Sequence, residues 1–136
     1  MKRYMNGALL YAVLAMAGGV FYREFTKFHG FVGTTALGVL HTHYFVLGMI
    51  IFLLLLLLEK SFSFSSVKTE RILVFYHIGL NTTVVMLVVR GVTQVMDIAL
   101  SSGMDAAISG MAGIGHIVMG VSLVLLLFQI RRSIPR

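Results

Sequence analysis

Two histidines, His41 and His43, stand one residue apart at the head of an apolar run that continues through Leu53 to Leu58. An ionisable side chain at membrane depth costs several kcal/mol unless it faces protein, a cavity or a bound group. Neutral imidazole is a common metal ligand, and it titrates close to physiological pH. Leu40-His41-Thr42-His43-Tyr44-Phe45 is therefore where chemistry is expected, as metal ligation or as proton movement.

The elements that hold these side chains follow from composition. Of the 136 residues, 58% are hydrophobic and only 12% are charged. A soluble domain carries roughly 25% charged residues, so most of this surface is expected to face lipid. The net charge of +6 would suggest nucleic acid in a soluble protein. Here the basic residues bracket apolar runs, so lipid headgroups are the expected partner and nucleic acid is not. The chain has no cysteine, which excludes disulfides, thiolate iron–sulfur ligation and thiol nucleophiles. No nucleophile with its base, carboxylate pair or phosphate loop stands out, so a binding protein is favoured over an enzyme.

A transmembrane helix needs about 20 mainly apolar residues. Four runs qualify, at about Met5 to Tyr22, Gly33 to Leu58, Ile72 to Leu100 and Ala107 to Ile130. The first lacks a small-x-small cleavage site before Tyr22-Arg23-Glu24-Phe25, so it is read as a permanent helix rather than a signal peptide. Short connections make successive helices antiparallel, which predicts one domain, an all-α up-down four-helix membrane bundle. Lys2, Arg3, Lys60, Lys68, Arg71, Arg131, Arg132 and Arg136 then share one side, against Arg23 and Lys27 on the other. The positive-inside rule places both termini in the cytoplasm of a multi-pass cell-membrane protein.

Helix rise puts His41, His43, Arg90 and His116 in one outer layer, with His77 roughly 10 Å or more deeper. At about 100° per residue, His41 and His43 point to nearly opposite sides of their helix. Ser109, Gly113, His116 and Gly120 share a face of the fourth helix, with Gly110 and Gly115 adding open surface. Thr83, Arg90, Gln94 and Asp97 share a stripe on the third, and His77 and Asn81 another.

This constellation suits haem b. His41 or His43, with His116 ahead of His77, would be the axial pair. Gly113 and Gly120 would let the macrocycle approach the backbone, Arg90 would meet a propionate, and Thr42, Tyr44 and Gln94 would orient the rings. Plainer readings stand beside it. The glycines suit a helix-packing face, Arg90 could pair with Asp97 or snorkel, His77 could be a hydrogen-bonding core residue, and His29 a solvated loop residue. A zinc site needs three or four converging ligands, which opposed histidines do not supply, and a copper(I) site lacks clustered thioethers.

Phe21-Tyr22-Arg23-Glu24-Phe25-Thr26-Lys27 and His41-Thr42-His43-Tyr44-Phe45 resemble a family of small, uncharacterised four-helix bacterial membrane proteins. Separately, Leu40-His41-Thr42 resembles the second helix of haem–copper oxidase and nitric oxide reductase catalytic subunits. There the histidine ligates the low-spin haem, a role that falls on His41. Those subunits have many more helices, and their copper-site histidines have no counterpart here. The resemblance therefore implies haem binding without oxygen reduction, for electron transfer with a redox partner or for haem or gas sensing. The alternative is a small transporter or channel subunit using the histidines as a proton or ion pathway. A second protomer is an expected partner, because a four-helix bundle has little interior.

Overall fold

Ser66 and Ser101 set the starts of the two longest helices. The Ser66 hydroxyl accepts from the Thr69 amide at 3.2 Å, and that of Ser101 from the Met104 amide at 3.3 Å. Each satisfies one of the amides that a helix start leaves unpaired. Ser66→Ala is expected to lower stability by about 1 kcal/mol, read as a lower thermal midpoint in detergent.

The computed structural model describes residues 1–135, so Arg136, counted above with the basic side, lies outside them. It consists of α1 (Lys2–Phe28), α2 (Ala36–Phe62), α3 (Val67–Val95) and α4 (Ser102–Ser133). All four are long and apolar enough to cross a membrane, and no strand occurs among the described residues. The helices mostly run beyond the apolar windows, because the charged ends are helical too. The exceptions are the start of α2, at Ala36 rather than Gly33, and the end of α3. α3 stops at Val95 rather than near Leu100, since Asp97 adopts φ 50°, a left-handed conformation that turns the chain.

The termini and the 63–66 turn lie at one end, tied by an Arg3–Glu70 ion pair and a 2.8 Å Tyr4–Ser65 hydrogen bond. At the other end, Gln94 Oε1 accepts from the Ala36 amide at 2.8 Å, and Thr35 donates to the Gly91 carbonyl at 3.0 Å. Gln94 therefore caps the start of α2 rather than orienting a histidine ring.

The packing departs from a closed bundle. α3 and α4 pack along their length, and α1 packs along α2. Between α1 and α4 there is no substantial contact among the described residues, and α4 touches α2 only sparsely. A backbone-close seam explains the α3–α4 pairing. A Cβ on Gly79 would stand 2.5 Å from the Met119 nitrogen, and one on Gly115 would stand 2.7 Å from Thr83 Oγ1. Gly115 is thus a packing residue, contrary to the open surface expected of it.

α2 is not a uniform helix. It begins as a 3₁₀ turn (Ala36–Val39), is α-helical over Leu40–His43, widens to a π-helix over Tyr44–Ile50 and returns to α over Ile51–Phe62. π segments recur at functional sites. Here Tyr76 donates to the Leu47 carbonyl at 2.6 Å, which supplies an acceptor inside the widened stretch with a donor.

Candidate functional site

The histidines at the head of α2 part company. His43 faces α4, where its ring centroid lies 6.1 Å from that of His116 at an interplanar angle of 84°. His41 turns to α1, where a Cβ on Gly19 would lie 3.7 Å from its own Cβ. Its Nδ1 is buried without a hydrogen-bond partner. The pair that the fold brings together is therefore His43 with His116, and His41 does not join it. The reason is local. His41 and His43 both lie in the α-helical segment Leu40–His43, where two residues at about 100° each set the side chains on opposed sides.

His43 and His116 share a protonation pattern. Each places Nδ1 2.8 Å from the carbonyl four residues back, that of Val39 and of Ala112 respectively. A carbonyl only accepts, so the neutral ring carries its proton on Nδ1 and leaves the Nε2 lone pair free. Metal-ligating histidines commonly donate their other nitrogen in this way. His29 makes the same bond to Phe25, in the exposed turn after α1. The pairing of rings, not the tautomer, is what sets His43 and His116 apart.

The surroundings of the pair are open. Cβ atoms added to Gly113 and Gly120, one turn to either side of His116, would meet nothing within 4 Å. A hollow of about 270 Å³ lies beside His43, lined also by Thr42, Val46 and Leu47. Thr42 itself bonds the Val39 carbonyl at 2.8 Å.

Arg90 is engaged across the seam. Its guanidinium pairs with Asp105 at 2.9 Å and donates to Ser109 Oγ at 2.7 Å. Asp97, the partner suggested by helical spacing, lies past the end of α3, where that spacing no longer holds. Among the described residues no three His, Asp or Glu side chains are grouped to hold one metal ion.

A second polar cluster lies toward the terminal end. Tyr11 of α1 hydrogen-bonds His77 Nδ1 of α3. Asn81 Nδ2 donates to the His77 carbonyl at 2.8 Å and to the Tyr11 oxygen at 3.2 Å, and Tyr44 donates to Asn81 Oδ1 at 2.9 Å. His77 is thus a hydrogen-bonded interhelical residue. Sequence reasoning noticed His77 and Asn81 four residues apart but missed Tyr11. The one signal was the seven-residue spacing of Tyr4 and Tyr11, both fully buried.

A family model for proteins of unknown function matches residues 1–133. No curated protein and no solved structure matches the chain.

Proposed function

The chain belongs to the DUF2871 family, whose function is unknown, and from that starting point we propose a membrane-embedded haem-binding protein, cytochrome b-like, with His43 and His116 as the iron ligands. The observation that carries this is the imidazole pair. Two imidazoles ligating one metal from opposite sides, at a metal–nitrogen distance of about 2 Å, hold their centroids about 6 Å apart. The 6.1 Å separation of His43 and His116 suits that arrangement. Both rings offer a free Nε2, and the bare backbone at Gly113 and Gly120 gives a flat ring room beside His116.

The Leu-His-Thr resemblance would assign a ligand role to His41, whereas the pairing favours His43. Arg90 is already held by Asp105, so a propionate would take that carboxylate's place. Bound haem would supply one-electron chemistry or a site for a diatomic gas. The protein's part is to hold both imidazoles in the ligating tautomer and to shield one face with α4. The excess of Lys and Arg at the terminal end supports a cytoplasmic location for both termini and an outward location for the haem.

The test is the reduced-minus-oxidised spectrum of protein purified from haem-replete cells. A Soret band is expected, lost in His43→Ala and His116→Ala and kept in His29→Ala. Gly113→Leu and Gly120→Leu should keep their helicity yet retain less haem. A wild-type protein without the band, or a band that survives both ligand substitutions, overturns the reading.

A further inference from the structure

The Tyr11 cluster fixes the direction of every proton in it. The His77 carbonyl only accepts, so the Asn81 group facing it is the amide nitrogen. Asn81 Oδ1 therefore faces Tyr44, which must donate. The second amide hydrogen goes to the Tyr11 oxygen, so Tyr11 gives its own hydrogen to His77 Nδ1. Neutral His77 is left with its proton on Nε2, the opposite tautomer to His43 and His116. Three hydrogen bonds thus link four groups in one sense, Tyr44 to Asn81 to Tyr11 to His77. Hydrogen bonds aligned in this way polarise one another.

The last donor, His77 Nε2–H, has no protein partner, and unlike His41 Nδ1 it is not sealed in the core. His77 lines a cavity of about 300 Å³ with Arg3, Tyr4, Phe52, Glu70, Leu73 and Val74. The wall is mainly apolar. Its cation, Arg3, is already paired with Glu70, so the cavity offers no free charge to an anion. What remains is one polarised neutral donor in an apolar hollow, which fits a neutral carbonyl oxygen. Access is lateral, because α1 and α3 meet there through long side chains and not through close backbone packing. A ligand entering by that route between apolar helices is expected to carry an apolar tail.

We infer that this cavity binds the head-group of a lipid-soluble quinone, one carbonyl of which accepts the hydrogen bond from His77 Nε2–H. The inference is independent of the haem reading, because the two sites share no residue.

The experiment uses the full chain in detergent and decyl-ubiquinone as the probe. Saturable binding of one molecule per chain is expected, with a lowered carbonyl stretching frequency in the infrared difference spectrum. His77→Leu should weaken binding about tenfold and abolish the frequency shift, and Tyr11→Phe should weaken it less. Val74→Trp provides an arm that spares the core, since Val74 is 56% exposed and lines the cavity. It should block binding while the protein keeps its helicity and thermal midpoint. No saturable binding, unchanged binding in Val74→Trp, or equal displacement by a phospholipid overturns the inference. The Soret band recorded on the same samples reports separately on His43 and His116.

Discussion

Gly79→Leu is expected to be the most damaging single change, lowering stability by about 3 kcal/mol and leaving little folded protein after detergent extraction. A Cβ at this position meets the Met119 nitrogen at 2.5 Å, the Met119 Cα at 2.8 Å and the Gly115 carbonyl oxygen at 2.9 Å. All three are backbone atoms, so no side chain can swing away to make room. The helices must separate, and separation loses the contact that holds α4, since α4 has almost no other neighbour. Close approach at small residues is how membrane helices associate without a hydrophobic driving force. Gly113→Leu supplies the contrast, because its side chain would enter open space. Thermal unfolding of both variants in one detergent checks the pair. Equal midpoints would show that the seam tolerates a side chain.

Asn81→Leu is expected to cost about 2 kcal/mol, although the replacement is close in volume. Asn81 uses both amide hydrogens and its oxygen, and the two groups it serves on other helices are Tyr11 and Tyr44. Both tyrosine rings are packed in the core, where little water can substitute for the lost partner. Hydrogen bonds between membrane helices average below 1 kcal/mol, so the expected cost comes mainly from leaving the Tyr44 hydroxyl without its acceptor, while Tyr11 loses one accepted bond and keeps its bond to His77. Tyr11→Phe alone should cost about half as much, and the double substitution less than the sum, because the residues share one network. Additive effects, or an unchanged midpoint for Asn81→Leu, would show that the cluster does not act as a unit.

Hydropathy alone was enough for four helices and their order. Every element except the short connections is an apolar run bounded by charge, and lipid-length helices are the regular way to satisfy such a backbone. Short connections then required antiparallel neighbours, and the Arg3–Glu70 and Tyr4–Ser65 contacts bring the start of α1 to the start of α3 accordingly. Counting at 1.5 Å per residue placed His43, His116 and Arg90 in one layer, and their contacts are made at neighbouring levels.

Faces were less legible than levels. An angle of 100° per residue holds only within an unbroken α-helix: over Leu40–His43 it set His41 and His43 on opposed sides, as found, but the 3₁₀ and π turns flanking that segment left open which of the two meets α4. The same assumption carried the Arg90 stripe on to Asp97, past the point where α3 ends, and so missed Asp105 on the facing helix. Periodicity also could not separate Gly115, pressed against Thr83, from Gly113 and Gly120, which meet nothing.

Composition and spacing thus dictated how many helices there are, that successive ones alternate in direction, and at what level along its helix each polar group lies, because those properties depend on one chain segment at a time. The partner of each polar group was decided only in three dimensions: His116 for His43, Asp105 for Arg90, Tyr11 for His77. A partner depends on how two helices are rotated about their axes, and that rotation is set by glycine seams and by the changing pitch of α2, which act between segments rather than within them.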